Sequence, residues 1–203
     1  MHAIETFLIA FIFSFVGSIP PGTLNLTVLQ LGLNQQIKLA WRFAIAAALV
    51  EYPYGWIAVK FAALITSSPL ILENIKLVSA AVMFAVGVLG LWSARKPTSF
   101  TRKFEQSGFR RGFILSILNP MAIPFWIAIT AYLTTQNWIS LDSTVTLHSY
   151  LLGVSVGALV LLMLLAFVSK QLIRYVPPDS WIKYVPGSTL VLLGMYALFN
   201  YYF

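Results

Sequence analysis

Two proline-containing breaks interrupt apolar segments of this chain, and each lies in the first apolar segment of its half. Pro20-Pro21-Gly22 forms one break, and Asn119-Pro120 forms the other 99 positions later. Matching interruptions in two halves of a membrane chain are the best sequence-level indication of a transported substrate's binding site. An unpaired backbone group in hydrocarbon costs several kcal/mol, so an interrupted helix must be buried or line a polar cavity. A pair of packing kinks is the structural alternative.

The residues after the first break could bind an anionic group. Residues 22–33 are predicted to form a half-helix, whose first amides have no intrahelical acceptor and whose dipole directs positive charge into the membrane. Such a terminus is an anion site made of backbone, and Gly22 lets a ligand approach it closely. On the other side of the break, carbonyls freed by the prolines could accept hydrogen bonds from an ammonium. The arrangement suits a zwitterion.

The second break repeats this arrangement, and its Asn119 side chain can both donate and accept hydrogen bonds. Inverted repeats bring their broken helices together, so we expect one shared cavity near the middle of the membrane. The predicted substrate-binding residues are Pro21, Gly22, Thr23, Asn25, Asn119 and Pro120.

Glu51 is predicted to lie deep inside an apolar segment, whereas the other acidic residues lie at segment ends or in loops. A carboxylate at the centre of a membrane helix costs roughly 2.5–3.5 kcal/mol on insertion scales. Burial favours the neutral form of such a group, so it can bind and release a proton as its surroundings change. We therefore predict that Glu51 couples transport to protons or contacts a cation. The structural alternative is a carboxylate hydrogen-bonded to a neighbouring tyrosine or to a freed backbone amide.

The composition places these motifs in a membrane protein. Of the 203 residues, 59% are hydrophobic and 9% are charged, whereas a soluble domain carries about 25% charged residues. Six apolar segments come near the roughly 20 residues that a helix needs to cross the hydrocarbon. The predicted spans are 3–19, 43–65, 77–92, 113–133, 151–168 and 186–203. They use nearly the whole chain, so we expect one all-α membrane domain over 1–203 and no soluble domain.

The net charge of +7 is distributed as the positive-inside rule requires, so we expect no nucleic-acid partner. Basic residues in loops also suit anionic lipid headgroups. Two basic residues, Lys60 and Lys76, fall on one face of a six-span chain. Eleven fall on the other face, which is predicted to be cytoplasmic with both termini outside: Lys38, Arg42, Arg95, Lys96, Arg102, Lys103, Arg110, Arg111, Lys170, Arg174 and Lys183.

The chain divides into two halves of three spans, joined by the polar segment 93–111. Three is odd, so the second half enters the membrane with the opposite orientation, and related halves would form an inverted repeat. Residues 12–22 align with 114–122 through the proline breaks. We therefore predict repeats at about 1–92 and 112–203.

The fifth span carries Gly153 and Gly157, a pair that lets a neighbouring backbone approach closely. We favour packing within the chain for this pair, because a six-helix bundle has many internal interfaces. A homodimer interface is the alternative.

Pro21-Gly22 after the first span, then Gly112-Phe113 and Asn119-Pro120 at the fourth, resembles the lysine exporter (LysE/RhtB) family of amino-acid efflux proteins. Length and the six-span layout match as well. The resemblance implies export of amino acids or similar metabolites across the bacterial inner membrane, driven by the proton-motive force. The family's Pro-Gly-Pro pattern ends here in Thr23, and its Asn-Pro-Lys pattern ends in Met121. The departures concern the substrate more than the fold.

Other classes of protein fit the sequence less well. A cation exporter on a related scaffold would need several oxygen ligands, or Cys and His for softer metals, and the chain has no cysteine. An enzyme would need a nucleophile with a base, or paired acids, and no such constellation is present. A non-transporting assembly protein would need neither paired breaks nor a buried acid. We expect a transporter of a small zwitterion in the lipid bilayer, without enzymatic activity, cofactor or metal.

The topology can be tested by introducing single cysteines, because the chain has none of its own. Ser143→Cys should react with a membrane-impermeant thiol reagent in intact cells, and Ser99→Cys should not, because the basic bias places 93–111 in the cytoplasm. Labelling of position 99 without labelling of position 143 would contradict the topology.

Overall fold

A computed structural model describes residues 3–20, 22–67, 107–119 and 122–172, together with single helical positions between 77 and 92 and between 184 and 199. The continuous segments form helices, and no strand occurs among them, so the all-α class is confirmed. Apart from these single positions, the predicted spans 77–92 and 186–203 lie outside the described residues, as does most of the linker 93–111. The helices are α1 (Ala3–Gly17), α2 (Thr23–Leu33), α3 (Ile37–Ser67), α4 (Gly108–Ile117), α5 (Ala122–Thr135) and α6 (Thr144–Leu172).

Helix lengths differ from the predicted spans. Helix α3 begins six residues before the predicted 43–65 and α6 begins seven before 151–168, because a helix continues through polar residues where hydropathy falls. In the described part of the chain, one helix, Thr144–Ser169, is long and apolar enough to cross a membrane alone. Helices α4 and α5, which are bent by 65° relative to each other, would form a second membrane span if the pair is counted as one broken span. Helices α1 and α2 are apolar but shorter, since the first break divides their segment.

Both predicted breaks interrupt helical structure. Helix α1 ends at Gly17 and α2 begins at Thr23, while α4 ends at Ile117 and α5 begins at Ala122. A proline has no backbone N–H and clashes with the preceding turn, which explains why each helix stops just before its proline. The chain then resumes as a new half-helix rather than as a kinked continuation.

The two second half-helices, α2 and α5, end in the same cap. The N–H of Gln36 donates to the carbonyl of Leu31, and the N–H of Trp138 donates to that of Leu133, both at 2.9 Å. The residue before each donor has a positive φ, 58° at Gln35 and 57° at Asn137. This is the hydrogen-bond pattern of a Schellman cap, which satisfies the last carbonyls of a helix. The two caps are related by a shift of 102 positions, since 137 − 35 = 102.

Helix α1 runs parallel to α6 in close contact. A Cβ at Gly153 would overlap the backbone of Phe7, and one at Gly157 would overlap that of Phe11. The hydroxyl of Ser14 donates to the Val154 carbonyl at 2.5 Å across the same contact. Packing of this glycine pair within the chain is thereby confirmed, while the homodimer stays a prediction.

Helix α4 runs parallel to the first part of α3 through a second glycine pair. A Cβ at Gly108 would overlap the Leu39 carbonyl, and one at Gly112 would overlap that of Phe43. This pair was not predicted from the sequence, because Arg110 and Arg111 lie between its members and the segment is polar. Small residues serve the same purpose here as in an apolar span, since they let two helix backbones approach.

Two buried apolar clusters lie along α3 and α6. One contains Ala58, Trp126 and Tyr150, and the other contains Phe43, Ala47 and residues of α2 and α6. Glu51 lies on α3 between the positions that enter these clusters. The two clusters therefore flank the polar middle of the bundle.

The glycine contacts predict a large loss of stability when they are filled. Gly112→Leu should lower the free energy of unfolding by roughly 1–3 kcal/mol or prevent insertion, because backbone occupies the space that the side chain needs. Thermal unfolding of the purified protein in detergent measures the change.

Gly22→Ser is the matched control. A Cβ at Gly22 meets no atom within 4 Å, and its φ of −120° is open to any residue. Equal melting temperatures for Gly112→Leu and the unmodified protein would show that α3 and α4 are not in backbone contact.

Candidate functional site

The first turn of α2 begins at Gly22, which leaves its amides without a side-chain cap. Gly22 is extended, with φ −120° and ψ −178°, and a Cβ placed on it would lie in open space. Thr23, the first residue of the helix, is exposed. The first amides of a helix lack intrahelical acceptors and sit at the positive end of its dipole. This terminus can therefore receive an anionic group from the open side.

Asn25 holds the first break together. Its side-chain amide donates to the carbonyl of Ser18 at 2.7 Å and to that of Pro20 at 3.0 Å, and the residue is buried. Both amide hydrogens are thus directed at carbonyls that lie between α1 and α2 and have no partner within a helix. Asn25 lies at the predicted site, but its N–H groups serve the protein, and one of the freed carbonyls assigned to an ammonium already has a donor.

Thr27 also bonds within its own helix. Its hydroxyl donates to the Thr23 carbonyl at 2.7 Å, and the residue is buried. Of the polar groups in this segment, the exposed Thr23 lies nearest to the open helix terminus.

Contacts between the half-helices bring the two breaks together. A Cβ at Gly17, where α1 ends, would overlap the ring of Phe125, which lies in the first turn of α5. Helix α2 also contacts α4. Asn119 is half-buried at the second break, where its backbone N–H donates to Ser116 at 3.1 Å. The two remaining predicted site residues, Pro21 and Pro120, lie outside the described residues.

Glu51 and Tyr54 bind the two sides of the second break from α3. The Trp126 indole, on α5 after the break, donates to Oε2 of Glu51 at 2.7 Å. The Tyr54 hydroxyl donates at 2.7 Å to the carbonyl of Ile117, the last residue of α4 before the break. The structural alternative for Glu51 named a tyrosine or a freed amide as its partner, whereas the observed donor is an indole on another helix.

Trp126 was not predicted as a site residue. The sequence does distinguish Trp126, because this tryptophan lies in the middle of a predicted span rather than at a membrane interface. It is 2% exposed, and a buried indole N–H needs an acceptor. The acceptor could not be identified without the fold, because Glu51 is 75 positions away.

Further polar groups surround this part of the bundle. The hydroxyls of Thr130 and Tyr150 are 2.8 Å apart, and that of Tyr52 is 2.5 Å from Nδ1 of the exposed His148. Within the described residues, the buried hydroxyls of Ser116 and Ser155 have no protein partner. No group of three His, Cys, Asp or Glu side chains that could hold a metal ion occurs among the residues described.

Helices broken at two neighbouring places, with a partly buried acid beside one of them, are typical of membrane transporters. The LysE type translocator family model matches residues 15–201, and the chain belongs to that family. The protein is therefore a multi-pass membrane protein of a transporter family rather than of an enzyme family. Neither curated proteins nor solved structures gave a match to the chain.

The two hydrogen bonds that the Asn25 side chain donates across the first break give a testable prediction. Asn25→Leu keeps the approximate volume but removes both donors, so the carbonyls of Ser18 and Pro20 lose a partner in an apolar setting. We expect the free energy of unfolding to fall by about 1–3 kcal/mol. Gln30→Leu, on the exposed side of the same helix, is the control and should change it little. If Asn25→Leu and Gln30→Leu have the same melting temperature in detergent, the hydrogen bonds of Asn25 do not stabilise the break.

Proposed function

We propose that this protein is a secondary transporter that exports amino acids or similar small zwitterionic metabolites from the cytoplasm by proton antiport. Its membrane is the bacterial inner membrane, with both termini outside. The observation that carries the proposal is the contact between Gly17 and Phe125, because it makes the two broken helices neighbours. Neighbouring breaks with open backbone groups are how secondary transporters build a substrate site.

An inverted repeat of 1–92 and 112–203 is supported by how the described helices pair. Half-helix α1 packs on α6, and its counterpart α4 packs on α3. In the same way α2 packs on α6, and its counterpart α5 packs on α3. The helix caps repeat with a shift of 102 positions (137 − 35), and the buried Ser14 and Ser116 have that spacing too. Each half thus lays its broken helix on the long helix of the other half, as a pseudo-twofold relation requires.

The carboxylate of the substrate binds at the start of α2. Uncapped amides, the helix dipole and the open space at Gly22 favour an anion at this terminus. The exposed Thr23 adds a hydroxyl at the same place. Asn25 keeps the terminus in position by bonding the carbonyls on the other side of the break.

The ammonium of the substrate and the transported proton compete for the region around Glu51, at the second break. Glu51 is the acidic residue of α3, and its carboxylate reaches Trp126 on α5. An acid within a transporter's membrane helix is typical of proton relays. Alternate occupation of one carboxylate by a proton and by a cationic group would couple the two fluxes. Asn119 borders this side of the site.

Flux measurements in proteoliposomes test the proposal directly. Under an imposed pH gradient the purified protein should accumulate a subset of a panel of amino acids. A gradient of one pH unit supplies about 1.4 kcal/mol per proton, enough for roughly a tenfold gradient of the substrate when one proton is exchanged for one substrate molecule. Glu51→Gln should lose pH-driven accumulation while retaining substrate exchange, because an amide cannot release a proton. Gly22→Val should abolish both, because its side chain fills the approach to the α2 amides.

Gln30→Leu is the control for expression and insertion, since its side chain is exposed and lies about two turns along α2 from the first break. All variants are compared at matched amounts of monodisperse protein. Uphill transport by Glu51→Gln under a pH gradient alone would show that Glu51 is structural. Undiminished substrate flux by the Gly22→Val variant would show that the substrate does not bind at the start of α2.

A further inference from the structure

The two breaks are held by groups of different chemistry. At the first break, the brace is the amide of Asn25, which carries no titratable proton. At the second break, the link from α3 to α5 is the bond between the Glu51 carboxylate and the Trp126 indole. The hydrogen bonds at the first break are therefore the same at any pH, whereas the strength of the hydrogen bond between α3 and α5 depends on the charge of the Glu51 carboxyl group.

The surroundings of Trp126 fix the direction of its N–H. The indole packs edge-on against Phe125, with ring centroids 5.0 Å apart, and against Tyr150 at 6.4 Å. The Thr130 hydroxyl donates to the Trp126 carbonyl at 2.6 Å and also contacts the Tyr150 hydroxyl. An indole N–H is a single donor, so rotating it away from Glu51 would leave it unpaired in an apolar environment.

We propose that Trp126 transmits the protonation state of Glu51 to half-helix α5, which is bound to α3 when Glu51 is ionised and released when Glu51 takes up a proton. Trp126 is a positioning residue in this device, and the inference rests on the proposed function of Glu51. A hydrogen bond to an ionised acceptor is roughly twice as strong as one between neutral groups. Proton uptake therefore weakens the link without any other change of contact.

A movement of α5 would also affect the first break, because Phe125, the residue before Trp126, contacts the end of α1. Phe125 precedes Trp126 in the chain, and its ring lies against Gly17 at the end of α1. A shift of α5 relative to Glu51 therefore also moves the Phe125 ring relative to Gly17, which changes the contact between the two breaks. Loading of Glu51 with a proton is in this way coupled to access to the α2 terminus.

The other titratable groups of α3 have partners of their own or lie apart from Glu51. Tyr52 is bonded to His148 of α6, and Tyr54 donates to the Ile117 carbonyl. The Lys60 ammonium lies over the Trp56 ring, 5.5 Å from its centroid, and Lys60 is nine positions beyond Glu51.

The helices that pack on α3 bring few further charges. Helices α2 and α5 contain no Asp, Glu, Lys, Arg or His. On α4, Arg110 and Arg111 lie beside Gly112, whose contact on α3 is Phe43, two turns before Glu51. On α6, the Tyr150 hydroxyl contacts that of Thr130, and Lys170 lies 22 positions beyond His148. On α3 itself, Lys38 and Arg42 lie 13 and nine positions before Glu51. Glu51 is thus the group whose titration changes the link to α5.

Distances between spin labels test the device independently of substrate flux. Trp41→Cys on α3 and Ala128→Cys on α5 introduce labels at exposed positions of the cysteine-free chain. Double electron–electron resonance in lipid nanodiscs at pH 5 and pH 8 should give two distance distributions. Adding Trp126→Phe keeps a ring for the contacts with Phe125 and Tyr150 but removes the donor. That variant should give the pH 5 distribution at both pH values.

Glu51→Gln resembles the proton-bound carboxyl and should behave as Trp126→Phe does. Trp56→Phe is the matched control, a tryptophan replacement on the exposed side of α3, and should keep the full pH response. A second pair of labels is introduced by Ile12→Cys on α1 and Phe167→Cys on α6, both at exposed positions. The described hydrogen bond between these two helices, from Ser14 to Val154, involves no titratable group. This second pair should give one distribution at both pH values.

Either of two results would overturn the proposal: identical α3–α5 distributions at both pH values in the unmodified protein, or a pH response that survives Trp126→Phe. The unmodified protein and Glu51→Gln decide the question even if Trp126→Phe does not fold. A pH-dependent distance without amino-acid flux would reject the proposed function and leave the device standing. In flux assays, Trp126→Phe should retain exchange and lose at least several-fold in uphill accumulation.

Discussion

The main constraint on the two breaks is the cost of leaving a backbone group unpaired in an apolar environment. Each break frees carbonyls at the end of one half-helix and amides at the start of the next. Asn25 meets the carbonyls of Ser18 and Pro20, and Tyr54 meets that of Ile117. The amides at the start of α2 have no side-chain cap at Gly22, so this terminus is free to bind something other than the protein.

Close packing through glycine places these polar groups side by side. The pairs Gly153/Gly157 and Gly108/Gly112 let α1 approach α6 and α4 approach α3 with backbone in contact. Without such approach the half-helices would stand too far from the long helices for short side chains to reach across. The Ser14 hydroxyl, for example, reaches the Val154 carbonyl only because Gly157 is next to it in the interface.

The described helices of the two halves correspond in their caps and contacts but differ in the chemistry of their breaks. The caps of α2 and α5 use the same backbone hydrogen bonds, and the half-helices of each half pack on the long helix of the other half. The braces differ, with a neutral amide at the first break and a carboxylate with an indole at the second. In the proposed device, the first break keeps the same hydrogen bonds at any pH, and only the second break responds to protonation.

The sequence by itself determined where the helices stop, because proline cannot continue the hydrogen-bond ladder whatever surrounds it. Composition determined the membrane class, and the isolation of Glu51 in an apolar run marked it as exceptional. Only the tertiary structure decided partners: Trp126 for Glu51, and Ser18 and Pro20 for Asn25. Hydrogen-bond partners follow from distances between helices far apart in the chain, and no local pattern encodes them. For that reason Asn25 was predicted as a ligand residue, although its donors serve the fold.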